Sequence, residues 1–175
     1  MAELEVSTAP QIDPKEFRRA LGSFVTGVTV ITTRRRTGEY VGLTANSFNS
    51  VSLSPPLVLW SLSLFAPSLP AFQESPYFAV NILAADQTPL SQQFSRRAED
   101  KFAGVEFKEG MGGVPLLDGV AASFTCRNEF RYYGGDHIIF VGAVVAFENT
   151  DREPLVFAGG QYAQIHRGPR ASLAC

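Results

Sequence analysis

The sequence predicts a mainly β protein: an antiparallel barrel, closed or nearly closed, with a few peripheral helices. Segments with strand character outnumber helical segments, and they form hairpin-like pairs with short connections. The regular alternation of strand and helix that a parallel sheet requires is missing. The chain has 175 residues, of which 45% are hydrophobic and 18% charged, so it is long enough for one domain with its own core.

The first predicted element is a helix that begins after Asp13. Asp13 suits the N-cap, Pro14 fits the first turn, and Glu16 stands where a capping box places an acid that reaches back. Apolar residues then recur at helical spacing, at Phe17, Ala20, Leu21 and Phe24. We expect this helix to end near residues 26–27. Two short helices are predicted further on, from 67–68 to about Glu74 and from Asp86 to Phe94.

The strands follow from β-branched and apolar runs that are bounded by turn residues. Residues 104–118 are rich in glycine and proline and are predicted to be a plain loop. Residues 134–136 have the composition of a hairpin turn between two long strands. The predicted strands are 28–33, a segment from Tyr40, a segment from near Ser47, 56–62, 77–83, 121–133, 138–148 and 154–158.

The chain is predicted to contain a single domain over residues 12–165, a flexible lead-in at 1–11 and a polar tail at 166–175. A net charge of −2 gives no attraction to nucleic acid or to an anionic membrane. Cys126 and Cys175 form no disulfide framework, and the N-terminus has no secretory signal, so we expect a reduced, cytoplasmic protein. The longest apolar stretch is too short to span a bilayer.

Residues 42–52 depart from ordinary strand composition, because small hydroxyl and amide side chains replace bulky packing residues. Small polar side chains beside exposed backbone N–H and C=O groups suit a flat heteroaromatic ligand such as an isoalloxazine ring. Ser61, Ser63 and Ser68 add hydroxyls where the next strand ends and the next helix begins, and a helix N-terminus suits a phosphate. The alternative is a half-exposed strand whose polar face meets water.

Other chemistries have less support. His137 is the only histidine within the predicted fold, and a lone histidine at a strand start is more often structural than catalytic. No metal site is predicted, since cysteines, histidines and carboxylates do not cluster. The chain has neither a Gly-x-Ser-x-Gly elbow for a hydrolase nor paired carboxylates for a glycosidase. The basic run 34–36 is interpreted as a solvated hairpin tip, with a dinucleotide-phosphate contact as the alternative.

Eight short motifs occur in a fixed order between roughly Ile12 and Tyr162. They lie within residues 17–30, 42–48, 51–58, 78–83, 100–102, 115–119, 135–137 and 154–156. Through them the chain resembles the short-chain flavin reductase family, the small components that supply reduced flavin to two-component aromatic monooxygenases. One such motif is weak, whereas eight in order are specific.

The resemblance implies a Greek-key FMN-binding split barrel, a homodimer, and hydride transfer from nicotinamide C4 of NADH, or of NADPH, to N5 of FMN or FAD. The reduced flavin would then serve a partner flavin-dependent monooxygenase. Carried over by position, the isoalloxazine would be lined by Gly42, Leu43, Thr44, Asn46 and Ser47. The ribityl-phosphate arm would be served by Ser61, Leu62, Ser63 and Ser68, with Gln93 and Phe94 closing the other side. The nicotinamide would meet His137, Leu155, Val156, Phe157 and Ala158, with His137 as the catalytic residue.

The chain departs from the family in one respect. Similar proteins often carry a basic residue between the Ser61 strand and Ser68, or just before Phe94, but residues 64–67 and 92–93 contain none. Phosphate affinity would then depend on hydroxyls, backbone N–H groups and a helix end. Two alternatives stay open: a flavoprotein of the same barrel that keeps its flavin and oxidises a substrate, and a non-catalytic flavin or haem binder.

Overall fold

A computed structural model describes residues 12–98 and 100–166. The predicted lead-in at 1–11 and residues 167–175 of the predicted tail lie outside the described residues. The helices are α1 (Pro14–Leu21), α2 (Leu69–Glu74) and α3 (Thr88–Ser95), and a 3-10 turn covers Met111–Gly113. The strands are β1 (Thr26–Gly27), β2 (Thr29–Arg34), β3 (Tyr40–Ala45), β4 (Asn49–Leu53), β5 (Pro56–Ser63), β6 (Tyr77–Ile82), β7 (Phe107–Glu109), β8 (Pro115–Leu117), β9 (Ala122–Gly134), β10 (His137–Asn149), β11 (Val156–Ala158) and β12 (Gln161–Ala163).

Seven strands form the main sheet, in the order β3-β2-β6-β9-β10-β5-β4. Every pair in this sheet is antiparallel, which confirms the predicted fold class. Several neighbours, such as β2 and β6 or β5 and β10, are far apart in sequence, as in a Greek key. A small sheet β1-β11-β12 and a two-stranded pair β7-β8 pack beside it.

The main sheet must be rolled, because its two edge strands are joined by residues 46–48 alone. Seven flat strands at about 4.8 Å spacing would set β3 and β4 about 29 Å apart. The link can span at most about 14 Å. Within the described residues no ladder joins β3 to β4, so the barrel is split along this seam.

Two apolar clusters fill the interior. The larger is aromatic: Trp60 stacks on Phe140 with ring centroids 4.8 Å apart, and Phe72 of α2 packs edge-on against Trp60. The smaller contains Val28, Val30, Leu83, Phe94, Leu117, Val120 and Leu155. It fixes α3 and the segment before β11 against β2.

The N-terminal helix differs from the prediction. It ends at Leu21 instead of continuing to 26–27, because the N–H groups of Ser23 and Phe24 bond only three residues back, to Ala20 and Leu21, and the chain then enters β1. Asp13 does cap it, accepting a bond from the Lys15 N–H at 2.8 Å. Glu16 does not reach back but pairs with Arg19 at 2.7 Å. The predicted apolar face is exposed, with Phe24 71% accessible.

Three further corrections concern strands. The stretch 104–118 is not a plain loop, because β7 and β8 pair within it. The strand expected near Ser47 begins at Asn49, since residues 46–48 form the link across the seam. β12 was not predicted at all, because three residues give too little pattern. Among the described residues, no helix has the length and apolar character needed to cross a membrane.

Candidate functional site

The edge strand β3 presents two different faces. Val41 is buried and Leu43 and Ala45 pack on the aromatic cluster, so by alternation Gly42 and Thr44 point the other way, toward α3. A Cβ on Gly42 would lie 2.5 Å from Cε1 of Phe94. Glycine at this position therefore allows α3 to pack directly on the strand.

The backbone of β3 offers free hydrogen-bonding groups at the seam. The carbonyl oxygen of Gly42 accepts a bond from Lys101 Nζ at 3.3 Å, so this residue's backbone points away from β2. Thr44, two residues further on, has the same orientation in an antiparallel strand. The backbone N–H and C=O of Thr44 therefore face the seam. Its side-chain hydroxyl donates to the Ser91 carbonyl at 2.6 Å.

Ser47 joins the two sides of the seam. Its hydroxyl accepts a hydrogen bond from the Ser61 N–H and donates one to the Ser61 carbonyl, both at 3.0 Å. β4 pairs with β5 only as far as Leu59, so Ser47 takes the position that the next strand residue would occupy. Asn46, beside it, is exposed.

The serines of β5 lie on its more open face. Ser61 and Ser63 are half-buried, whereas Leu62 points into the aromatic cluster. The hydroxyl of Ser63 accepts a bond from the Phe65 N–H at 3.3 Å. Ser68 begins α2, a helix of six residues, but its side chain makes no capping bond. The structure thus places Ser61 at the seam through Ser47, with Ser63 at the end of the same strand and Ser68 at the start of α2, while Leu62 can offer only its backbone.

Gln93 and Phe94 fasten α3 to its surroundings. Phe94 is fully buried and packs against the ring of Phe102 at 5.0 Å, so its side chain supports β3 from behind. The Gln93 amide donates to the carbonyls of Lys101 and Ala103 at 2.9 and 3.0 Å. Lys101 Nζ in turn donates to the Phe94 carbonyl at 2.8 Å, and burial lowers the pKa of Lys101.

His137 lies at the first residue of β10, directly opposite Ser63 of β5. Its Nδ1 is 2.7 Å from Oδ1 of Asp136, and this hydrogen bond lowers the pKa of the Asp136 carboxyl. The imidazole is 46% exposed. Because Nδ1 faces Asp136, Nε2 is the ring nitrogen left for a ligand.

The segment 155–158 lies in another neighbourhood. Leu155 is buried, and its backbone bonds to Val28 and Leu83 on either side. Phe157 stands opposite Thr26 of β1 and Tyr162 of β12. The Tyr162 hydroxyl shares a 2.9 Å hydrogen bond with the Ser91 hydroxyl, which links this segment to α3 and so to Thr44. His137 instead lies opposite Ser63 of β5, outside this network of contacts.

Three residues that reasoning from the sequence missed are structurally central here: Ser91, Lys101 and Tyr162. Lys101 was visible as part of the motif 100–102, although without a role. Ser91 and Tyr162 carried no signal in the sequence, because their hydrogen-bond partners lie on other elements. Ser91 bonds to Thr44 of β3, and Tyr162 bonds to Ser91, which is 71 positions away in the chain. Among the described residues, no three histidine, cysteine or acidic side chains lie close enough to hold a metal.

The basic run 34–36 agrees with its interpretation as a hairpin tip. Arg34 pairs with Glu109 at 3.3 Å and Arg35 with Glu39 at 3.1 Å. Tyr40 also donates to Glu109, and this hydrogen bond raises the pKa of Tyr40. Two of the three arginines are therefore neutralised by partners on the same chain.

The seam presents hydrogen-bonding groups on both of its sides. Backbone groups of Thr44 line one side, the hydroxyls of Ser61 and Ser63 line the other, and the Asn46 amide is exposed between them. The Cys126 thiol belongs to the aromatic core cluster and is no nucleophile, because burial raises the pKa of Cys126 to about 12. These residues suit the isoalloxazine and ribityl arm of a flavin.

Comparison with known proteins agrees with this chemistry. A family model described as flavin reductase like domain matches residues 21–166. The FMN reductase (NADH) SmoA of Agrobacterium fabrum is 43% identical over 153 residues, which are 87% of each chain. The flavin-dependent monooxygenase reductase subunit HsaB of Rhodococcus jostii is 42% identical over 158 residues, covering 90% of this chain and 80% of HsaB.

Solved structures share the fold. The NADH:FAD oxidoreductase SgcE6 of Streptomyces globisporus, in complex with NAD and FAD fragments, superposes with a TM-score of 0.83 at 39% identity, over 90% of this chain and 98% of SgcE6. The chain spans about half the length of two further relatives. With a family model matching most of its length and relatives above 40% identity, this chain belongs to the flavin reductase like domain family.

Proposed function

We propose that this protein is a flavin reductase that transfers a hydride from nicotinamide C4 of NADH to N5 of FMN or FAD and supplies the reduced flavin to a partner monooxygenase. The observation that carries the proposal is the split barrel with Thr44 backbone groups on one side of the seam and serine hydroxyls on the other. A bound flavin supplies the redox chemistry, and the chain supplies position and hydrogen bonds.

For the isoalloxazine we propose the stretch 42–47. Gly42 and Leu43 would contribute backbone alone, since Leu43 packs inward and Gly42 packs on Phe94. The Thr44 N–H would donate to the edge of the ring where negative charge develops on reduction. Ser47 keeps its hydroxyl on Ser61, so it would hold the shape of the seam, while the exposed Asn46 amide would bind the ring.

For the ribityl-phosphate arm we propose Ser61, Ser63 and Ser68, with the backbone of Leu62 between them. The side-chain hydroxyl of Ser68 makes no capping bond and is free to donate. No lysine or arginine lies between 61 and 68. A phosphate held by hydroxyls alone is held less tightly than one paired with a fixed cation, so we propose that flavin exchanges as a diffusible substrate. Gln93 and Phe94 would act from behind the ring by holding α3 on β3.

For the nicotinamide we propose His137 together with segment 155–158. Nε2 of His137 would donate to or accept from the carboxamide, with Asp136 fixing the imidazole orientation. Leu155 and Val156 are buried, so of this segment Phe157 and Ala158 offer the accessible groups, and Leu155 and Val156 anchor them. Stacking the two rings at near-attack distance is worth up to about 7–11 kcal/mol of barrier in well-oriented systems.

We propose a homodimer with the pocket between subunits. His137 and segment 155–158 occupy different neighbourhoods of one chain, and a second copy would bring them to one ligand. Large apolar side chains are exposed on β4 and β10, with Leu53 95% and Phe147 69% accessible. Exposed side chains of this size mark an association surface when they adjoin. Sedimentation at micromolar concentration measures the state, and a monomer would contradict this arrangement.

NADH is the proposed donor and the cytoplasm the proposed location. Arg34 and Arg35 are occupied by Glu109 and Glu39, which leaves no arginine pair there for the 2′-phosphate of NADPH. SmoA is named for NADH, and HsaB for service to a monooxygenase. Because NADH is held inside cells, a protein that consumes it acts there.

The experiment is anaerobic stopped-flow with each flavin and each nicotinamide. NADH oxidation that requires added FMN or FAD, with flavin that is lost on desalting, supports the proposal. Protein that stays yellow through desalting and turnover would indicate a flavoprotein that retains its flavin. Flavin binding without NADH oxidation would identify a non-catalytic binder and end the proposal.

A further inference from the structure

We propose that Tyr162 is a positioning residue for hydride transfer, which rests on the proposed function. Its hydroxyl holds the nicotinamide segment of β11 at a set distance from the flavin strand β3. Tyr162 touches neither ring in this arrangement. It acts through Ser91 on one side and Phe157 on the other.

The first observation is a continuous path of contacts. Tyr162 shares a 2.9 Å hydrogen bond with the Ser91 hydroxyl, and the Ser91 carbonyl accepts the hydroxyl proton of Thr44 at 2.6 Å. Ser91 is fully buried in α3. Ser91 thus binds Tyr162 through its hydroxyl and Thr44 through its carbonyl. Because moving either partner leaves a buried polar group unsatisfied, Ser91 couples the position of Tyr162 to that of Thr44.

The second observation is the register of the small sheet. Phe157 of β11 lies directly between Thr26 and Tyr162, so the three side chains share one face. The rings of Phe157 and Tyr162 meet edge-on with centroids 5.6 Å apart. Since Phe157 packs on the same apolar cluster as Phe94, this face is the one turned toward α3.

The third observation is how lightly β12 is held. It has three residues and, within the part of the chain that the structure describes, pairs with β11 alone, which itself has three residues. In such a short ladder the Tyr162–Ser91 bond is a large share of what fixes the pair against α3. Hydride transfer is sensitive to this placement, since a displacement of about 1 Å can lower a rate about 100-fold.

The variant that tests this is Tyr162→Phe, which keeps the ring contact with Phe157 and removes the hydroxyl. We expect kcat with NADH to fall about tenfold, flavin Kd to stay unchanged, and the primary isotope effect with C4-deuterated NADH to rise. Ser91→Ala should reproduce the effect. The double variant should be no slower than Tyr162→Phe alone, since both changes remove the same hydrogen bond between Tyr162 and Ser91.

Tyr133→Phe is the matched control, because Tyr133 is 72% exposed on β9 and should leave kcat and the isotope effect unaltered. If Tyr162→Phe lowers the unfolding temperature while kcat, KM and the isotope effect stay at wild-type values, the residue is structural only and the inference is overturned. Additive losses from Ser91→Ala and Tyr162→Phe would overturn it too. Wild-type protein that fails to oxidise NADH with added flavin would instead refute the proposed function itself.

Discussion

The Ser47 hydroxyl satisfies both backbone groups of Ser61, at 3.0 Å each. One side chain thereby replaces a strand residue at the point where the barrel is open. The seam keeps its width without being closed by a ladder. Loss of the Ser47 hydroxyl should therefore affect flavin binding indirectly, by changing the width of the seam.

Ser47→Ala is predicted to weaken flavin binding and to lower stability. The change leaves the N–H and C=O of Ser61 without a partner, at about 1–3 kcal/mol, and lets β5 move relative to the 46–48 link. Flavin Kd from fluorescence quenching should rise about tenfold, equivalent to about 1.4 kcal/mol. Ser50→Ala on the exposed strand β4 is the control. An unchanged flavin Kd in the Ser47 variant would mean that the Ser47–Ser61 hydrogen bonds do not shape the flavin site.

Gly42→Ala is predicted to destabilise the protein by about 1–3 kcal/mol, as overpacking does. The new methyl would lie 2.5 Å from the Phe94 ring, which is fully buried, so the ring or α3 must shift within packed surroundings. Urea unfolding measures the loss. Gly27→Ala is a matched control on β1, where an added Cβ meets nothing within 4 Å. Equal stability of the two variants would show that α3 yields easily.

His137→Ala is predicted to raise the KM for NADH about tenfold or more while leaving flavin Kd unchanged. The imidazole is oriented by Asp136 and is the proposed nicotinamide contact, so its loss should weaken NADH binding, whereas the isoalloxazine residues proposed within 42–47 lie on other elements and stay intact. His166→Ala, which removes the other histidine, serves as control. Steady-state kinetics give both constants. A wild-type KM would remove His137 from the site.

Cys126 is predicted to resist thiol reagents in the folded protein. Burial raises its pKa to about 12, so at pH 8 the thiolate fraction is on the order of 10⁻⁴. In a Cys175→Ser background, DTNB should label no thiol until denaturant is added. A raised pKa adds stability fully below the unfolded value of 9.0 and loses it as pH rises toward about 12. Relative to Cys126→Ala, the protein should therefore lose stability across that alkaline window, and rapid native labelling would contradict the assigned burial.

Much of the barrel could be read from the chain because its strands have clear local patterns. β2 is β-branched, and β9 and β10 are long and joined by a glycine turn, so their existence and pairing follow from neighbours in sequence. α1 was harder. Its apolar spacing predicted a longer helix, but Gly22 and the pairing of Thr26 with Phe157 ended it earlier. The pairing of Thr26 with Phe157, which are 131 positions apart in the chain, overrode the local helical periodicity.

The amino-acid pattern alone established the fold class, the motif order and the polar character of 42–47, because these depend on residue type and short spacing. Only the folded chain decided that Ser47 closes on Ser61, that Thr44 gives its hydroxyl to α3, and that Tyr162 meets Ser91. Each of those hydrogen bonds joins different elements, and which hydroxyl meets which carbonyl depends on sheet register and helix docking. Packing in three dimensions sets both, and no local periodicity encodes them.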